Sequence, residues 1–261
     1  MKPQTFKLNN ASFGKQEIIG EIIWAKKPDT VVIFFHGCCS GPFSSRPTKY
    51  QLLAQRLAEQ GLAAGAYYQS SRKLYGDDFS EEVSFEQRAQ LAFGGKTLED
   101  EYRDGVLAVQ EIVESVQKKI GAKPKLVFVG FSLGGLVATL VSQDISPDIL
   151  LTFGSGIGFN LDPETPILGG GISVQWQKKI RKAAQSFSGK VVINRGTEDV
   201  TTPKETTLDL FESFTQAEQS SFQEWSGVDH RFATRSGHDA EAELLEELFV
   251  VLSKTHFQQL W

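Results

Sequence analysis

The chain has 261 residues, 40% of them hydrophobic, which is enough for one large α/β domain with a sizeable buried core and calls for no second domain. Its 27 Lys and Arg against 32 Asp and Glu leave a net charge of −5 with no basic block, which argues against nucleic acid or an anionic membrane as the main partner. No stretch approaches the roughly 18 to 20 apolar residues of a bilayer span, the start Met1-Lys2-Pro3-Gln4-Thr5-Phe6-Lys7 has no apolar signal core, and the only cysteines, Cys38 and Cys39, are adjacent and cannot form an ordinary disulfide, so the expectation is a soluble cytoplasmic protein with free thiols and no stable membrane insertion.

Eight candidate strands alternate with helical segments, the pattern of a mostly parallel sheet covered on both faces. Residues 4–8 and 17–25 precede any helix and alternate in part, which predicts an antiparallel hairpin at a sheet edge. From residue 30 the candidate strands become short and apolar throughout, as expected of strands buried on both faces. They are residues 30–35, 63–68, 125–129, 149–153, 190–194 and 221–225. Between them lie predicted helices at 47–60, 98–119, 133–143, 174–187, 203–214 and 239–256. The clearest is 98–119, where Leu98, Tyr102, Val106, Val109, Val113 and Val116 recur three or four apart on one face.

Two connections are longer than such links usually are and form candidate lid segments. Residues 69–96 carry Tyr75, Phe79, Phe85 and Phe93 beside the acidic Asp77, Asp78, Glu81 and Glu82; residues 154–171 combine several glycines with Ile157, Phe159, Ile167 and Leu168. The alternative is a structural excursion, or a short helix capping the core.

The chemistry concentrates at Gly130-Phe131-Ser132-Leu133-Gly134, which follows an apolar strand and opens a helix, the context of a nucleophile elbow. A serine hydroxyl needs a base within hydrogen-bond reach and a carboxylate to orient that base. Of the four histidines, His36 lies at the turn after the third strand and His256 near the C-terminus. His230 follows the last strand directly and is preferred to His238, which stands where the final helix begins. For the acid, chain order Ser, acid, His asks for a carboxylate on a loop between the elbow and the histidine; Asp199 follows the strand 190–194 and precedes Pro203, while of its rivals Glu198, as the adjacent residue, points elsewhere if Asp199 points inward and Asp229 stands so close to His230 that a triad bond is awkward. The oxyanion that forms on acyl attack needs two preset N–H donors. Leu133 supplies one, and Cys38, in His36-Gly37-Cys38-Cys39-Ser40-Gly41, is placed to supply the other. His36 then ties down that loop. A catalytic thiol at Cys38 or Cys39 is the rival reading, for which no separate base stands nearby.

His36-Gly37, Gly130-Phe131-Ser132-Leu133-Gly134, Gly196 to Asp199 and Asp229-His230-Arg231-Phe232, in this order, resemble the α/β-hydrolase superfamily over nearly the whole chain. The resemblance implies an eight-stranded sheet with strand 2 antiparallel, a Ser132, Asp199, His230 triad, an oxyanion hole from the amides of Cys38 and Leu133, and no cofactor. Compact members similar to dienelactone hydrolases and small carboxylesterases match best in layout, with no large cap. A dienelactone hydrolase would carry cysteine where this chain has Ser132, a departure that favours ester, thioester or peptide-like substrates.

Gly94-Gly95-Lys96-Thr97 lacks the earlier glycine and preceding strand of a phosphate loop, and Gly154-Ser155-Gly156-Ile157-Gly158 ends in Phe159 where a dinucleotide fingerprint needs glycine. Two cysteines without paired histidines make no ordinary structural zinc site. Arg72, Arg195 and Arg231 stand near predicted strand ends and are candidates to hold a substrate carboxylate. The expected function is a serine hydrolase cleaving a carboxylic ester or related small-molecule acyl substrate through an acyl-enzyme. The alternatives are acyl transfer, peptide or carbon–carbon cleavage by the same triad, or a non-catalytic ligand-binding protein on the same fold.

Overall fold

The computed structural model describes residues 2–38, 48–74, 84–158, 173–232 and 249–250. Eight strands form one sheet: β1 (Gln4–Leu8), β2 (Ile18–Ile23), β3 (Thr30–Phe35), β4 (Ala64–Gln69), β5 (Lys125–Phe131), β6 (Ile149–Phe153), β7 (Lys190–Gly196) and β8 (Gln219–Trp225). Their order is β1-β2-β4-β3-β5-β6-β7-β8. β2 runs antiparallel to both β1 and β4, and every other neighbouring pair is parallel. The expected edge hairpin and the reversed second strand are therefore both present.

β3 is buried along its whole length, Thr30 to Phe35, because helices cover both faces of the sheet. On one face the side chains of α3 (Leu98–Ile120), α4 (Leu133–Val141), α5 (Val174–Ser186) and α6 (Lys204–Glu212) pack with Ile33, Phe35, Phe128 and Ile193. The other face packs α1 (Lys49–Glu59) and Phe249 against Val32, Phe34, Val129 and Leu151. α3 begins where Thr97 and Asp100 exchange capping hydrogen bonds and ends at Gly121, whose φ of 75° only glycine adopts without cost.

The predicted boundaries differ at the strand ends. β5 runs on to Phe131, and β7 reaches Gly196 because Arg195 and Gly196 pair with Glu224 and Trp225 of β8. Within residues 69–96 lies α2 (Phe85–Phe93), capped by Ser84 and Gln87. Gln69 to Arg72 and Lys96 are buried, so the two ends of this connection belong to the core. Residues 154–158 likewise pack inward. Ile157 is buried in the core, and its N–H donates 2.9 Å to the Thr206 carbonyl. Phe93 and Ile157 are thus core residues. The remaining lid candidates Tyr75, Phe79, Phe159, Ile167 and Leu168, the side chain of Phe85, the stretches 75–83 and 159–171, and all of the predicted helix 239–256 except 249–250 lie outside what the structure describes. Among the described residues no helix is long and apolar enough to cross a membrane.

Candidate active site

Three strand ends converge. β5 stops at Phe131 and the chain turns straight into α4 through Ser132, whose φ of 53° and ψ of −123° place a non-glycine residue in strained backbone. The Ser132 N–H donates 2.8 Å to the Phe153 carbonyl and its own carbonyl accepts from Gly135 N–H at 3.1 Å. Such a turn needs bare backbone on its inner side. A Cβ on Gly134 would lie 2.3 Å from the Phe35 carbonyl oxygen, so only glycine fits there.

Asp199 stands three residues beyond β7 with its carboxylate fully shielded from solvent. Its Oδ1 accepts the N–H groups of Thr201 at 3.0 Å and Thr202 at 2.8 Å, and Arg195 Nη2 donates to its carbonyl at 3.2 Å. The loop is joined to the last residue of β8 by the Thr197 N–H on the Trp225 carbonyl and to the chain beyond β8 by the Glu198 N–H on the Val228 carbonyl. His230 sits in a tight turn in which the Asp229 carboxylate accepts the Arg231 N–H at 2.9 Å and the Asp229 carbonyl accepts the Phe232 N–H at 3.1 Å. Phe232 closes that turn at a φ of 52°. Its ring is buried among Phe131, Phe153 and Trp225, with centroids 6.4, 5.2 and 5.8 Å away.

The side chains meet in one chain of contacts. His230 Nε2 lies 2.8 Å from Ser132 Oγ, and His230 Nδ1 lies 2.9 Å from Asp199 Oδ2 and 3.0 Å from Oδ1. A carboxylate only accepts, which assigns the proton to Nδ1 and leaves Nε2 free to receive the serine proton. Of the rival acids, Asp229 turns its carboxylate to Arg231 instead. Glu198 is joined to Val228 through its backbone, and it is Asp199 that reaches His230. His238 and Cys39 lie outside the described residues. Sequence reasoning missed Thr202, whose hydroxyl donates 3.0 Å to the Gly154 carbonyl and stands 3.3 Å from His230 Nδ1.

At the end of β3, His36 is buried, and its Nε2 accepts the Ser70 N–H at 3.2 Å while Nδ1 lies 2.9 Å from the Gly37 carbonyl. Burial lowers the pKa of its imidazole from 6.5 to about 4, so the ring is neutral near pH 7. The Gly37 N–H donates to the Tyr50 hydroxyl at 3.2 Å, fixing the backbone that leads to Cys38. Behind His36, the Ser70 hydroxyl donates to Glu101, and Lys96 Nζ lies 3.2 Å from Glu101 and 3.0 Å from Asp104. Burial opposes ionisation of Glu101, but the Lys96 ammonium holds its carboxyl below the usual range; at Asp104 burial prevails and raises it.

The candidate substrate arginines have other neighbours. Arg195 bonds Glu224 and the Asp199 carbonyl, Arg72 is buried with its guanidinium 4.4 Å from the Phe93 ring, and Arg231 is exposed beside Asp229. Among the described residues no three His, Cys, Asp or Glu side chains gather as metal ligands.

No curated protein sequence matches the chain. Solved structures do. The esterase domain of a Rhodothermus marinus protein is 16% identical, with a TM-score of 0.58 over 98% of this chain and 99% of its own. A dienelactone hydrolase from Anabaena variabilis is 15% identical, with a TM-score of 0.60 over 95% of this chain and 96% of its own. The acylaminoacyl peptidase of Pyrococcus horikoshii is 13% identical and reaches a TM-score of 0.67 over 95% of this chain but only 40% of its own. At such identities these neighbours speak for the fold, which is that of an α/β hydrolase. The model of the dienelactone hydrolase family matches residues 23–257, nearly the whole chain, and the chain belongs to that family of hydrolases.

Proposed function

We propose that the protein is a serine hydrolase that cleaves a carboxylic ester or a related small-molecule acyl substrate through an acyl-enzyme on Ser132, within one α/β domain spanning residues 1–261. The observation that carries this reading is the chain from Ser132 Oγ through His230 to Asp199, with contacts of 2.8 and 2.9 Å. As Oγ attacks the acyl carbon, its proton passes to His230 Nε2, and Asp199 stabilises the imidazolium through Nδ1–H. The oxyanion of the tetrahedral intermediate is held by the N–H of Leu133, which as the first helical residue has no partner within α4, and by that of Cys38. Collapse of the intermediate expels the alcohol, which takes the proton from Nε2. Water then attacks the acyl-enzyme with His230 again as base, and Ser132 is released.

A serine at the elbow favours oxygen esters and similar acyl groups because the hydroxyl is activated by proton transfer to His230 rather than by a standing thiolate. Treatment with a fluorophosphonate probe followed by intact-mass analysis tests the assignment, and a screen of esters of graded acyl length then gives the substrate class. One adduct on Ser132 is expected. A Ser132→Ala protein that still takes the probe and still turns over activated esters overturns the reading.

A further inference from the structure

We propose that Lys49 is a positioning residue for His230, its ammonium clamped between the ring that precedes the nucleophile and the backbone carbonyl that follows the base. The inference rests on the serine-hydrolase reading above. Lys49 Nζ donates 2.7 Å to the carbonyl of Arg231, the residue after His230, and stands 4.1 Å from the ring centroid of Phe131, the residue before Ser132. One side chain of α1 therefore touches both chain segments whose separation sets the Ser132 to His230 contact.

Nothing in α1 itself accounts for a lysine there. Lys49 is the first residue of the helix, where the positive end of the helix dipole disfavours a cation, and the first turn holds no acid to offset it. The contacts it makes are of kinds that strengthen with charge: an ammonium on a carbonyl and a cation over an aromatic face. From the other side the His230 turn is held by the Phe232 ring, seated on Phe131, Phe153 and Trp225 at a positive φ. Phe232 anchors the turn inward, and Lys49 fixes its outer carbonyl.

Burial lowers the pKa of the Lys49 ammonium from 10.5 to about 8. Among the described residues, the charged groups that face it are Asp229, which favours the ammonium, and Arg231, which opposes it, both from the His230 turn. β5 presents only the neutral Phe131 ring, and α1 adds the Tyr50 ring 5.9 Å from Nζ. Raising the pH through 8 thus removes the charge that strengthens both contacts, and the outer tether on His230 loosens.

The test compares wild type, Lys49→Met and Lys49→Arg on p-nitrophenyl acetate from pH 6 to 10. Lys119→Met serves as control, because Lys119 also stands 4.1 Å from an aromatic ring, that of Trp24, at the end of α3. At pH 7 Lys49→Met should lose on the order of 10-fold to 100-fold in kcat with little change in KM, the effect of a misplaced base. The wild-type kcat should fall as pH rises through 8, Lys49→Met should lack that fall, and Lys49→Arg should recover activity and move the fall above pH 10. Lys119→Met should follow wild type throughout. A readout without turnover separates this proposal from the functional reading: the downfield proton resonance of His230 Nδ1–H should persist in wild type at pH 7 and weaken above pH 8 and in Lys49→Met. If the protein hydrolyses no ester and takes no phosphonate, the functional reading fails and this resonance alone judges Lys49. A wild-type kcat or resonance that is flat through pH 8, or a folded Lys49→Met that matches wild type, overturns the proposal, and the wild-type profile stands even if a variant fails to fold.

Discussion

The Ser155 hydroxyl donates a 2.7 Å hydrogen bond to the backbone carbonyl of Ser132. It braces the strained elbow from the loop after β6, and it does so in space that only a glycine at position 135 leaves open. A Cβ on Gly135 would lie 2.0 Å from Ser155 Oγ and 2.8 Å from Ser155 Cβ.

Gly135→Ala should therefore destabilise the protein by overpacking, about 1 to 3 kcal/mol, seen as a Tm lower by roughly 2 to 10 °C. Adding Ser155→Gly removes the two closest atoms and leaves only Thr152 Cβ, 3.0 Å away, so the double variant should regain a large part of the lost Tm. It should not regain kcat, because the brace on the Ser132 carbonyl is gone. Non-additive Tm values with an unrestored rate are the expected pattern, and simple additivity would show that the two sites do not share this space.

Asp199→Asn should be far more damaging than its isosteric size suggests. Oδ1 accepts the Thr201 and Thr202 N–H groups, so the asparagine oxygen is held on that side and its NH₂ faces His230 Nδ1. The imidazole must then carry its proton on Nε2, where it cannot accept the proton of Ser132. A fall in kcat of about 10³ to 10⁴ is expected with the fold intact, measured with circular dichroism and steady-state rates on an activated ester. A loss of only a few fold would show that Asp199 is not the orienting acid.

The parts of this arrangement legible in the sequence are those fixed by backbone punctuation. Apolar runs between turn residues locate the strands, and the glycines around Ser132 mark the elbow because a side chain there would strike backbone. Residues acting through tertiary contact gave no such signal. Lys96 reads as a failed phosphate loop, yet it is fully buried, with its Nζ 2.7 Å from the Ser71 carbonyl beside Asp104 and Glu101. Only the approach of α3 to the end of β4 makes that charge tolerable. Thr202, Ser155 and Lys49 have ordinary local contexts, and their partners lie on other elements. α2 is short and sits inside a long connection, so its few apolar positions gave no period to follow.

The burial of His36 gives stability a defined pH dependence. Its folded pKa of about 4 lies below the ordinary 6.5. Between these values the unfolded chain binds the proton and the folded one does not, so this contribution is complete above pH 6.5 and is lost as pH falls toward 4. A fall from 6.5 to about 4 corresponds to a loss on the order of 3 kcal/mol. Urea unfolding at pH 7 and pH 4.5 should show the decline, and His36→Gln, which has no proton to gain, should flatten it. An unchanged slope in that variant would place the acid sensitivity elsewhere, with Glu101, held below the usual carboxyl range, as the next group to replace.

Cys38 should act through its backbone rather than its thiol. The Gly37 N–H is held on the Tyr50 hydroxyl and the neighbouring His36 ring on the Ser70 N–H, contacts to the loop's path into Cys38 that do not involve the sulfur. If the Cys38 N–H meets the oxyanion, Cys38→Ala should keep most of the activity. Cys38→Pro deletes that donor and should lower kcat about 10²- to 10³-fold, the usual effect of losing one oxyanion contact. Proline also constrains the preceding Gly37, so circular dichroism and the Tm must accompany the rates, and Cys38→Gly serves as a second control for loop distortion because it keeps the N–H while loosening the backbone. The ordering Ala near wild type, Gly modestly reduced and Pro severely reduced supports the amide. Abolished turnover in a folded Cys38→Ala, with activity surviving in Ser132→Ala, would replace the serine mechanism with a thiol one.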